Sequence, residues 1–148
     1  MNATPVARIE SASSAADNGR KGALERFIEL AGRVLLGVLF LLSGLAKLGA
    51  YSAAAAFMSS FGVPRVLLPA VIATEVLGAL AIIFGWKTRT AAVLLAGFSL
   101  LTAIIFHHNF ADQIQINNFF HDVSIAGGFL LLVASGAGPL SIDRHFVK

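Results

Sequence analysis

Four long runs of apolar residues, each nearly free of charge, constrain this chain more than any other feature it has. A run of about 20 such residues, coiled as a helix, spans the roughly 30 Å hydrocarbon core of a bilayer, where each backbone group must find its partner within the protein. Across the 148 residues, 57% of side chains are hydrophobic and 13% are charged. A water-soluble fold could not cover that much apolar surface. Lipid is the expected solvent, and the expected fold is all-α: a transmembrane antiparallel four-helix bundle.

The few charges inside the runs set where the helices lie. Thirteen uncharged residues separate Arg33 from Lys47, which is about 20 Å of helix and too short to span. The first helix must therefore extend past both, over about 27–49. Arg33 then snorkels inward and Lys47 outward, or one of them finds a partner within the bundle. The second run, 66–86, carries a single charge, Glu75, near its middle. Pro64 suits a first-turn position, whereas Pro69 should kink or restart the helix. The third run is uncharged from Thr90 to Phe106 and is expected to continue through His107 and His108, over 90–108. The fourth, about 119–135, opens beside His121 and Asp122 and stops before Gly136, Gly138 and Pro139.

Two connections carry more than loop chemistry. Over 51–61, Phe57, Met58 and Phe61 recur at helical spacing beside four consecutive alanines, which predicts a short interfacial helix between the first and second spans. The 109–118 stretch is polar with Phe110, Ile114 and Ile116 interspersed, and is also expected to rest at the interface. The first 22 residues are rich in Ala, Ser and Asn and lack the apolar core of a secretory signal peptide. They read as a disordered cytoplasmic tail ahead of a membrane domain over 23–148, with the first run as an uncleaved anchor.

Orientation follows from the basic residues. Nine of the eleven Lys and Arg fall in the tail, at Arg26 and Arg33, in the 87–89 loop and at the C-terminus, against Lys47 and Arg65 on the other side. Positive flanks stay in the cytoplasm, so both termini are expected inside. The net charge of +3 forms no basic patch with interleaved aromatics, and nucleic acid is not an expected partner. The chain has no Cys, which excludes disulfides, thiolate metal sites and thiol redox chemistry within it.

Alternating helix direction gives every polar residue a depth. Lys47 ends the first helix at the outer face, and Glu75 lies some 15 Å below the outer start of the second. His107, His108, His121 and Asp122 all fall at the outer level, so titratable groups from four helices converge in the outer half. Glu75 is the sharpest signal, because an acid near the bilayer centre costs at least about 2.5 kcal/mol on insertion scales and is normally paired or functional. It is the candidate catalytic residue, as a protonatable group. The plainer alternative makes it a structural ion-pair anchor to Lys47. Arg33, Gly37, Phe40, Gly44 and Lys47 share one helix face, whose glycines read first as a packing surface. The histidine spacing matches no defined metal site, and no metal is expected. There is likewise no haem attachment motif or dinucleotide loop, so no intrinsic cofactor is expected and any electrons must come from a partner or the substrate.

The residues also carry a family resemblance. GRVLLGVLFLLSGLAKL at 32–48, Phe-Gly-Val-Pro at 61–64, Glu75 followed by GALAIIFGWKTRTAA, Phe-His-His-Asn-Phe at 106–110 and GGFLLLVASGAGPLSIDR at 127–144 occur in an order and spacing that resemble the DoxX family, especially its short inner-membrane members. Relatives commonly show a Lys-Asn pair where this chain has His121-Asp122. The resemblance implies four transmembrane helices in a bacterial inner membrane and an association with quinones, sulfur-compound oxidation and oxidative stress. The leading expectation is an outer-half pocket of Lys47, Glu75, His107, His108 and His121 that binds a quinone-like or other amphipathic ligand. The competing expectations are a non-catalytic subunit or scaffold that docks a soluble oxidoreductase and, behind both, a small transporter.

Overall fold

The computed structural model describes the backbone of residues 5–146 and the side chains of residues 22–145. The described residues form helices α1 (Pro5–Gly49), α2 (Tyr51–Ser60), α3 (Leu68–Phe84), α4 (Thr88–Phe106), α5 (Gln113–Ser135) and α6 (Ile142–Phe146), with a 3-10 turn at Arg65–Leu67. Four stretches are long and apolar enough to cross a membrane: Gly22–Gly49, Arg65–Phe84, Thr88–Phe106 and Gln113–Ser135. These are the four expected spans, and short connections make successive ones antiparallel.

Helix order around the bundle follows from the packing. α1 lies mainly against α3, α3 touches α4, α4 lies mainly against α5, and α5 returns to α1. The ring closes on a core of Phe40, Ala79, Ile82, Leu95, Ala96 and Phe129. Phe40 meets Phe129 edge-on at 5.4 Å and Phe98 at 6.3 Å, the favoured geometry for aromatic pairs. Outward-facing positions are apolar too: Leu35, Leu77, Ile104 and Leu131 are each more than 60% exposed. An outside as apolar as the core is the pattern of a bundle solvated by lipid.

The glycines of the first span have a packing role. A Cβ on Gly37 would come within 2.5 Å of Ile83 Cγ1, and one on Gly44 within 2.7 Å of Val76 Cγ2. Without those side chains α1 can approach α3 closely, which sets the distance across which charged groups on the two helices meet.

One boundary follows the expected restart at Pro69, and two depart from the sequence reading. The 3-10 turn after Pro64 gives way to α3 at Leu68, so Pro69 sits in the first turn of a restarted helix, where a missing N–H costs nothing. α5 begins at Gln113, six residues before the expected start at 119. Asp112 caps it by accepting from Ile114 N at 2.8 Å, and the polar 113–118 segment, expected as a connection at the interface, forms the first turns of the helix. At the N-terminus no backbone break marks the expected tail boundary near residue 22: α1 continues from Pro5, while residues 1–4 lie outside the described residues. Helix propagation from a formed span adds one hydrogen bond per residue fixed, and this segment's Ala, Glu and Arg are good helix formers.

α2 is the short helix expected between the first two spans. It buries Ala55 and Met58 against Leu68 and Ile72 in a second, smaller core. Phe57 and Phe61 lean on Phe106, with centroids 5.5 and 5.2 Å away, so the helix roofs the end of α4.

Candidate functional site

The close approach of α1 to α3 brings the two expected charges together. Glu75 is 4% exposed and receives Lys47 Nζ at 2.8 and 2.9 Å on its two carboxylate oxygens. Ser43, one turn before Lys47, accepts from the same ammonium at 2.7 Å and donates to Glu75 Oε1 at 3.1 Å. The three donors of the ammonium and the Ser43 hydroxyl are thereby all engaged, which offsets the cost of burying the carboxylate at this depth. Gly44 is needed for this contact, since a Cβ there would lie 3.2 Å from Glu75 Cβ.

Two cavities meet at the triad. The first, of about 400 Å³, is the more polar and is lined by Ser43, Lys47, Glu75, His107, Asn118, His121 and Asp122 together with the apolar side chains of Leu39, Phe40, Phe98 and Ile125. The second, of about 280 Å³, is apolar and lies under α2, walled by Phe57, Met58, Val63, Val71, Ile105 and Phe106. Lys47, Glu75, Phe98, Thr102 and His107 border both.

At the mouth of the polar cavity, His107 Nδ1 lies 2.8 Å from Gln115 Oε1, and its Nε2 faces Asp122 Oδ2 at 4.0 Å, beyond hydrogen-bond range. Asp122 Oδ2 is buried and has no hydrogen-bond partner among the described residues. An unpaired buried acceptor beside a cavity is a place for a ligand hydroxyl or a water. His121 lines the same cavity from a more exposed position.

Of the five residues expected to line a pocket, Lys47, Glu75, His107 and His121 converge. His108 does not: it is exposed, sits with Nδ1 3.0 Å from Ile105 O, and borders neither cavity. Adjacent residues at a helix end point to different sides, so one of a His-His pair turns away. Arg33 also behaves unlike a snorkelling residue. It is 1% exposed and donates to Leu140 O, tucked against Gly85 and Ser141 at the opposite end of the bundle. Ser43, Gln115, Asn118 and Asp122 were not picked out as site residues. Ser43 had a signal in its i, i+4 spacing to Lys47, whereas Gln115 and Asn118 lay in a segment read as an interfacial connection ahead of the fourth helix. Among the described residues no group of three or more His, Asp or Glu side chains is placed to hold a metal ion.

Comparison with known proteins places this geometry in context. The DoxX family model matches residues 28–108, from the first span through the end of α4. The chain is similar to inner membrane protein YqjF of Escherichia coli, at 46% identity over 80% of this chain and 92% of the relative. Inner membrane protein YphA of the same organism is 38% identical over 84% of this chain and 94% of its own. A more partial match, 34% identical over 49% of this chain and 54% of the relative, is to putative oxidoreductase CatD of Bacillus subtilis. No solved structure matches.

Proposed function

The chain belongs to the DoxX family of inner-membrane proteins, and from that premise we propose that its paired cavities bind a quinone-like or other amphipathic ligand in redox or oxidative-stress physiology. The observation that carries the reading is the shared wall. A polar chamber of about 400 Å³ and an apolar one of about 280 Å³ meet at Lys47, Glu75 and His107. A ligand with a hydrogen-bonding head and an apolar tail matches that division, and a purely polar or purely apolar ligand leaves one chamber unused.

In this reading the tail lies beneath α2 and the head sits among Lys47, His107, His121 and Asp122. Because the ammonium's donors are already engaged, a carbonyl head group displaces Ser43 from Lys47 or accepts from a histidine, and a hydroxyl head group donates to Asp122 Oδ2. Glu75 holds Lys47 in place and, with it, forms the group through which a proton reaches or leaves the head. Electrons come from a partner, and a redox setting agrees with the name of the putative oxidoreductase relative of Bacillus subtilis. By the distribution of Lys and Arg, the polar cavity faces the outer side of the membrane.

The test is lipid-soluble cofactor content of purified protein, compared between wild type and Glu75→Gln at matched lipid and matched monodispersity. Quinone enriched in wild type and reduced to background in the variant is the expected result. Equal background levels in both would sink the ligand reading and favour a non-catalytic subunit.

A further inference from the structure

At the opposite end of the bundle from the polar cavity lies a second constellation that the ligand reading does not use. A groove of about 920 Å³ runs between the start of α4 and the segment after α5, bordered by Lys87, Thr88, Arg89, Ser141, Asp143 and Arg144. The acid in it is already committed: Asp143 accepts from Lys87 N at 2.6 Å and Thr88 N at 2.9 Å, so its charge is spent on the α4 N-terminus. Among the described residues, Lys87, Arg89 and Arg144 are in no ion pair. Arg89 reaches the Ala134 carbonyl through one long 3.4 Å bond, and Lys87 lies 5.6 Å over the Trp86 ring. The Glu29 carboxylate lies beside Gly138 at the groove's edge, so three cations face two acids, one of them committed to the α4 N-terminus, and the groove carries an excess of positive charge.

Its depth and its neighbour identify what that charge faces. Trp86 is half exposed beside Lys87, as expected of an aromatic anchor at the head-group level. A separate apolar groove of about 560 Å³ runs between α3 and α4, bordered by Leu77, Trp86, Leu94, Leu95, Gly97 and Leu101. Lys87 and Thr90 border both grooves. From Thr90 to Leu101 the apolar groove covers about 16 Å of helix, close to the roughly 15 Å depth of one leaflet's hydrocarbon. A Cβ on Gly97 would meet nothing within 4 Å, so its floor is open to the bilayer side. Lys87 itself takes a left-handed backbone, φ 45°, a conformation that glycine adopts more readily, yet a cation stands there.

We propose that these joined grooves are a binding site for one anionic phospholipid, its phosphate held among Lys87, Arg89 and Arg144 and an acyl chain laid along α4 between Trp86 and Leu101. Its head-group end lies away from the ligand cavities, with which the apolar groove shares Phe98 and Leu101 at its far end, and the site does not depend on which side of the membrane the groove faces. Charge fixes the head group, and the apolar groove distinguishes a lipid from a free phosphate.

The experiment uses the full chain exchanged into equimolar phosphatidylglycerol and phosphatidylcholine of matched chains, with retained lipid read by native mass spectrometry. Phosphatidylglycerol is expected to be retained over phosphatidylcholine by at least about five-fold, the equivalent of about 1 kcal/mol for one basic residue near an anionic surface. Arg89→Gln with Arg144→Gln should bring the ratio towards unity. Gly97→Phe, which fills the apolar groove and leaves every cation in place, should lower retention of phosphatidylglycerol, and glycerol phosphate should fail to displace it. Equal retention of the two lipids by wild type would overturn the proposal, as would a preference that survives both variants. Displacement by glycerol phosphate would also overturn it, by showing a site for the anion without its chains.

Discussion

Glu75 and Lys47 illustrate how a buried pair is judged by its alternatives. Together they satisfy each other, and separately either leaves an uncompensated charge in a low-dielectric surrounding. Glu75→Gln should therefore lower stability in detergent by on the order of 1–3 kcal/mol, below the roughly 3–5 kcal/mol of a fully buried pair because Lys47 keeps some exposure to solvent. The double variant Lys47→Met, Glu75→Leu should unfold at a higher temperature than either Lys47→Met or Glu75→Leu alone, as thermal unfolding followed by circular dichroism would show. A double variant less stable than both singles would mean that the cavities, not the pair, hold α1 to α3. The pair was legible in the sequence because charges are rare in these spans and helix direction fixes their depth. Asp122 was not recognised as a site residue, because whether a side chain beside His121 turns into a cavity depends on helix rotation. Spacing alone does not give that rotation when most of a helix faces lipid.

The helices show the same division between what pattern conveys and what contact decides. Hydropathy located all four spans, since it responds to the lipid that surrounds them. It placed the start of α5 late, because Asp112 and the polar turn after it form helix through a local cap that carries no hydropathy signal. The start of α4 depends on an even more distant group. Asp143 binds the Lys87 and Thr88 N–H groups across the loop, and Asp143 N donates back to Gly85 O at 2.8 Å. Partial burial pushes the Asp143 carboxyl up, but the hydrogen bonds from Thr88 and Lys87 and the nearby Arg33 guanidinium outweigh it and hold the group below its ordinary 3.8. The sign follows: this contribution is complete above 3.8 and is lost as pH falls through the lower folded-state value. Asp143→Asn should cost about 1 kcal/mol, because the amide keeps one accepting oxygen and turns an NH2 towards the other N–H. It should also remove the corresponding part of the acid-side decline in melting temperature, and an unchanged acid slope would show that the cap does not titrate with unfolding.

The closed ring of four spans places the ion pair towards one face and the basic groove at the other, so the molecule has two chemically distinct ends. Because the chain contains no Cys, single cysteines give a clean reading of which end faces where. In intact cells Asp112→Cys should react with a membrane-impermeant maleimide, and His145→Cys should react only after permeabilisation. The reverse pattern would invert the orientation and put the polar cavity on the cytoplasmic side. Arg33 adds a constraint of another kind. Its guanidinium donates from Nη2 to the carbonyl of Leu140, 107 residues later, and its Nε and Nη1 have no hydrogen-bond partner among the described residues. During synthesis that contact has to wait, with the charge hydrated or against lipid phosphate, until the segment after α5 has emerged. The latch between the first span and the segment after α5 therefore closes only once all four spans have been made, and any quality-control step that samples the first span before then meets an arginine without this partner.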